Sequence, residues 1–99
     1  MIVVKNPLFR LGQTVATPAA IEAMRRAGQV PWEFLSRHVS GDYGIVNAED
    51  KALNDAAVKD GSRLLSAYLL NTGVKVWVIT EAEDDQGQRA ATTILLPDE

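Results

Sequence analysis

The chain has 99 residues, a formal net charge of −3 and no cysteine, with 46% apolar and 23% charged residues. That composition is ordinary for a globular domain, and the length allows one domain, residues 1–99, and not two. The lack of cysteine excludes disulfides, thiol catalysis and thiolate metal sites, and a pI near 5.1 argues against bulk electrostatic binding of DNA or RNA.

No apolar run approaches the ~20 residues of a membrane span, and no signal peptide opens the chain, so the expectation is a cytoplasmic protein. Charge is uneven along the sequence: residues 1–60 balance, and residues 61–99 carry the net −3. The acidic excess sits in Glu81, Glu83, Asp84, Asp85, Asp98 and Glu99. It reads as a solvated turn and tail, or as an acidic patch that meets a basic partner.

Met1 to Val15 reads as an irregular lead with one short strand, from the bursts Ile2-Val3-Val4 and Leu8-Phe9-Arg10-Leu11. Thr17 is a good N-cap for a first helix, with Pro18 where its missing N–H costs nothing and Gly28 as the stop. Its expected buried stripe is Ile21, Met24 and Ala20 or Ala27. A second helix starts at Pro31, with Trp32, Leu35 and Val39 on one face and Phe34 and His38 beside them. A third follows Asn47, has Glu49 and Asp50 in its first turn, and shows a small-residue stripe of Ala52, Leu53, Ala56 and Ala57 before Gly61.

From residue 62 the period changes to two. Arg63–Leu70, Val74–Ala82 and Arg89–Leu96 read as strands, joined by a hairpin at Asn71-Thr72-Gly73 and a longer turn around Asp84-Asp85-Gln86-Gly87. The block order predicts an α+β domain: N-terminal helices packed on a small antiparallel sheet, a three- to four-stranded meander whose fourth strand is the lead. In the middle strand Val74, Val76 and Val78 alternate with Lys75, Trp77 and Ile79. Both faces of the sheet are therefore apolar. The helices cover one, which leaves the other to the lead or to a partner, and makes a homodimer reasonable.

His38 is the only histidine. One histidine cannot build a multi-histidine metal site, and no His/Asp/Glu cluster has ligand spacing, so neither metal nor cofactor is expected. His38 near Arg37, Ser40 and Asp42 reads as a capping residue, or as an acid–base group oriented by a carboxylate. Asp42 between Gly41 and Gly44 reads as an Asx-turn, or as a polar group brought close to a ligand. A histidine on a helix, followed by Arg63, Thr80 and Thr92 on a sheet, is the pattern of small metal-independent ribonucleases. There a base takes the 2′-OH proton while a cation and hydroxyls stabilise the pentavalent phosphate. The acidic sheet region opposes an RNA substrate. Arg37, Ser40, Asp42, Tyr43, Trp77 and Glu81 are the candidate binding residues, the aromatics because interfaces are enriched in them.

The run Leu35-Ser36-Arg37-His38-Val39-Ser40-Gly41-Asp42-Tyr43-Gly44, with Glu49-Asp50-Lys51, Asn54, Arg63-Leu64-Leu65-Ser66-Ala67-Tyr68, Trp77-Val78-Ile79-Thr80-Glu81 and Thr92-Thr93-Ile94-Leu95-Leu96-Pro97, resembles a bacterial family. Its members are labelled plasmid-related protein, or restriction-methylase subunit. Leu11 to Pro18 also fits. The chain departs from the family pattern in having Tyr43 where Trp is usual, and a longer turn from Glu83 to Gln88 that sets Arg89 as the equivalent of a family Arg. A methyltransferase needs a cofactor-binding α/β sheet, which this block order does not supply. The resemblance implies a mobile-element protein with no established activity. The leading expectation is a non-enzymatic protein that binds host machinery, including defence components. The alternative is a metal-independent ribonuclease or toxin-like enzyme using His38, Arg63, Thr80 and Thr92.

Overall fold

The computed structural model of the chain describes residues 6–99, so the Ile2-Val3-Val4 burst lies outside the described residues. The elements are β1 (Gln13–Ala16), α1 (Pro18–Ala27), α2 (Pro31–Val39), α3 (Ala48–Asp60), β2 (Leu64–Leu69), β3 (Lys75–Thr80) and β4 (Ala91–Leu95). The class is α+β. Among the described residues, no helix is long and apolar enough to cross a membrane.

Caps place the helices where the sequence puts them. Thr17 Oγ1 accepts from Ala20 N (3.1 Å), Asn47 Oδ1 accepts from Asp50 N (2.8 Å), and Gly28 and Gly61 end α1 and α3 in the left-handed conformation.

The four strands lie in the order β1-β4-β3-β2. β2, β3 and β4 form the expected antiparallel meander, but β1 runs parallel to β4, and it precedes the helices. The sheet is thus mixed, not purely antiparallel, and the helices are not the first block. The cause is continuity. β1 runs straight into Thr17, the α1 cap, and its ladder steps along β4 in the same direction, with Gln13 N donating to Ala90 O (3.1 Å) and Thr17 N to Ile94 O (3.0 Å).

Register divides the sheet into an inner and an outer face. Ser66, Val78, Ile94 and Ala16 form one inner file, and Leu64, Thr80, Thr92 and Thr14 the next. Phe34 and Leu35 of α2 and Ala20 and Met24 of α1 close over this face with Tyr68, Val76, Val78 and Ile94. Ile21 is 50% exposed, so α1 presents Ala20 and Met24 to the core and turns Ile21 out. The lead lies on the helix side: Leu8 N donates to Val39 O (2.9 Å), Leu11 joins the main core, and Phe9 joins a second cluster around Tyr43, Ala57 and Leu64. Its described part therefore does not cover the outer face.

α3 packs with a different stripe from the one its apolar residues mark. Asn54 and Ala57 are buried, whereas Leu53 is 63% exposed. The polar residue faces inward because β2 is an edge strand with unpaired backbone groups. Asn54 Nδ2 donates to Leu65 O (2.7 Å) and Asn54 Oδ1 accepts from Leu65 N (3.0 Å). One step along, Ala67 N donates to Tyr43 O (3.1 Å) and Ile45 N to Ala67 O (2.7 Å). This approach needs glycine at residue 44, where a Cβ would collide with the Ala67 carbonyl.

Two stability changes are expected. Asn54→Leu strands both Leu65 backbone groups and should cost about 2–4 kcal/mol in chemical denaturation. Tyr43 is buried and its hydroxyl finds no hydrogen-bond partner. Tyr43→Phe removes that group and should raise stability by about 1 kcal/mol; a loss would show that the hydroxyl is satisfied in solution.

Candidate functional site

His38 sits on the last turn of α2, and the inner face of the sheet rises against it. Its Nδ1 meets Ser66 Oγ of β2 (2.5 Å) and its Nε2 meets Thr80 Oγ1 of β3 (2.8 Å). Thr80 Oγ1 meets Thr92 Oγ1 of β4 (2.7 Å), and Thr92 Oγ1 donates to the Leu11 carbonyl oxygen (2.7 Å). All four side chains are 0% exposed.

The direction of every hydrogen bond in this chain follows from its last member. A carbonyl oxygen only accepts, so the Thr92 proton is committed to Leu11. Thr80 must then donate to Thr92, and it has only its lone pairs left for His38. His38 is therefore the Nε2–H tautomer, and its Nδ1 accepts from the Ser66 hydroxyl. The neutral imidazole satisfies every group of the chain. Burial, and then the positive charge of Arg89, push the His38 pKa down from 6.5 to about 4.

Arg89 is the second buried polar centre. Its Nη1 donates to Ser62 O (2.8 Å) and Glu81 O (2.9 Å), and its Nη2 donates to Ala57 O (3.1 Å). It thereby ties the C-terminal turn of α3 to the start of β2 and the end of β3, with its cation at the negative end of the helix. Phe9 stands between the two centres, 5.1 Å from the His38 ring and 5.7 Å from the Arg89 guanidinium. The Glu83 carboxylate is 4.0 Å from Arg89.

The loop after α2 is locked in a separate arrangement. Arg37 Nε donates to Asp42 Oδ2 (2.7 Å), and its guanidinium lies 4.5 Å from the centre of the Tyr68 ring. Tyr68 Oη donates to the Asp42 carbonyl oxygen (2.6 Å). Asp42 Oδ1 accepts from Gly44 N (3.1 Å), which makes the Asx-turn. The Arg37 guanidinium holds the Asp42 carboxyl below the usual carboxylate range. Ser40 Oγ donates to Ser36 O (2.6 Å).

The structure therefore brings His38, Thr80 and Thr92 together, adds Ser66, and leaves Arg63 out. Arg63 is exposed and precedes the buried Leu64, so alternation sends it to the outer face. Asp42 does not orient the imidazole, because Ser66 and Thr80 hold both ring nitrogens. The buried cation near His38 is Arg89, two residues before β4, which the resemblance marks but the ribonuclease pattern does not include. Trp77 and Glu81 lie on the outer face, and Tyr43 is in the core. Among the described residues, no three His, Asp or Glu side chains converge in a way that holds a metal. The described surface grooves are lined by other residues than His38, Thr80 and Thr92.

No family model, curated protein or solved structure matches the chain.

A histidine kept neutral by the fold makes stability depend on pH. Between pH 6.5 and 4 the unfolded chain binds a proton at His38 that the folded chain refuses, so folding is progressively disfavoured as pH falls. The loss should reach about 3 kcal/mol by pH 4. His38→Gln, which cannot titrate, should lower stability at pH 7 and remove this component of the pH dependence in urea melts at pH 4–7. An unchanged pH dependence in the variant would contradict the assignment.

Proposed function

We propose that the chain is a non-enzymatic binding protein, working by occupying another protein rather than by turning over a substrate. The observation that carries this reading is the state of its polar residues. The one histidine and the two threonines that phosphoryl chemistry would use are 0% exposed, and their hydrogen bonds end on a backbone carbonyl. A general base needs to reach the proton it removes. His38 has a committed N–H, and its only lone pair is held by Ser66.

The surface offers something different. The outer face of the sheet carries Leu65, Trp77, Ile79 and Leu95, all half-buried and packed against neither core cluster. A sheet face whose large apolar residues stay partly exposed suits a protein contact. Resemblance to plasmid-borne proteins supplies the setting: a protein carried by a mobile element and directed at host machinery, with defence components among the targets. The acidic turn Glu83-Asp84-Asp85 suits a basic partner.

The test pairs two assays on one preparation. Varied RNAs incubated with the protein in EDTA should remain intact, for wild type and His38→Ala alike. Affinity capture from host lysate at low salt should retain one dominant protein. RNA cleavage that disappears in His38→Ala would overturn the reading and restore the ribonuclease alternative.

A further inference from the structure

The outer face has a symmetry of its own. Strand register places Leu65, Ile79, Thr93 and Val15 in one file across the sheet, and Ala67, Trp77 and Leu95 in the next. Between these files runs the inner-facing file of Ser66, Val78, Ile94 and Ala16. Beyond the apolar files β3 ends in a charge on each side. Lys75 is at one end and Glu81, still hydrogen-bonded through Glu81 N to Ala91 O (3.0 Å), is at the other. Both are exposed, and alternation puts both on the outer face with Trp77 and Ile79.

We infer that this face is the contact of a homodimer in which β3 of one copy lies antiparallel over β3 of a second copy. The inference rests on reading the face as a protein contact. The two-fold axis runs across the strands, along the file of Val78 and Ile94. Rotation about it lays one apolar file of each copy on the other file of its partner. Trp77 then meets Ile79 and Leu95 meets Thr93, each twice, while Ala67, 7% exposed, is already covered within one copy. Each large side chain faces a smaller one, as interdigitating layers require. The same rotation places Lys75 over Glu81 at both ends. Stacking the strands parallel would instead oppose Lys75 to Lys75 and Glu81 to Glu81. Charge thus selects one of the two symmetric arrangements.

Sheets stacked face to face cross at about 30°. About 10 Å from the axis, that crossing displaces the strand ends by about 5 Å, which a lysine side chain spans. The four-stranded face measures about 19 Å by about 20 Å. That footprint is below the ~800 Å² per partner of a standard interface. The dimer should therefore be weak and reversible.

Sedimentation equilibrium from 1 μM to 1 mM tests it, on the full chain. Wild type should pass from monomer to dimer across that range. Lys75→Glu and Glu81→Lys should each weaken self-association at least tenfold, because each opposes like charges twice. An equimolar mixture of the two variants should associate again, as a heterodimer with both charge pairs restored. Circular dichroism should show both variants folded, since neither residue is buried. A wild type that stays monomeric at 1 mM would overturn the inference, as would variants that dimerise like wild type or a mixture that stays apart. A monomer that still captures a host protein and leaves RNA intact would remove the dimer and keep the binding reading. RNA cleavage dependent on His38 would remove the binding reading, whatever the oligomeric state.

Discussion

An imidazole with no access to water must have both nitrogens satisfied, and this fold is arranged around one that is. His38 reaches Ser66 on β2 and Thr80 on β3, and Thr80 passes the chain to Thr92 on β4 and on to the carbonyl of Leu11 in the lead. One helix, three strands and the N-terminal segment are thus joined by hydrogen bonds whose directions are all fixed by one backbone acceptor. Such a network is stabilising only when complete, since a single missing partner strands a buried polar group at a cost of about 1–3 kcal/mol. That requirement pins the register of all three meander strands relative to α2. Arg89 acts the same way nearby, binding the carbonyls that α3, the start of β2 and the end of β3 turn toward it.

Local signals carried much of this in the sequence. Thr17, Asn47, Gly28 and Gly61 mark helix ends because capping is a matter of adjacent residues, and α1 and α3 fall between those marks. Asn71-Thr72-Gly73 marks the hairpin, closed by Leu70 N to Val74 O (2.8 Å), for the same reason. What depends on distant pairing was not legible. The parallel contact of β1 with β4 joins residues far apart in sequence and leaves no turn to read. The inward face of α3 follows Asn54, whose purpose appears only when the unpaired edge of β2 is beside it. Of the apolar stripe Ala57 is buried, while Ala52, Leu53 and Ala56 are exposed.

The candidate site was half legible for a related reason. The sequence names His38, Thr80 and Thr92 as residue types of one chemistry, but residue order says nothing of whether they meet or how deeply they are buried, and it is burial that changes their chemistry. Arg63 was grouped with them although it alternates against Leu64 and points to the other side of the sheet. Ser66 and Tyr68 alternate toward the core, and the parity of β2 alone separates these two sets. The two faces of β3 express the same division: Val76, Val78 and Thr80 complete an interior, whereas Trp77 and Ile79 are half-buried on the other face and join neither core cluster of the described residues. β3 thus sends Thr80 inward to His38 and turns Trp77 to the opposite face of the sheet.

His38 is a neutral core residue with both ring nitrogens hydrogen-bonded and no exposure to solvent. Nitrogen-15 NMR of the imidazole across pH reads it directly. The structure requires the Nε2–H tautomer, with Nδ1 unprotonated, unchanged from pH 8 down to about pH 5, and an Nε2 proton that exchanges slowly with water. An imidazole that titrates near its ordinary value of 6.5, or whose N–H exchanges freely, would place His38 at the solvent and contradict the account.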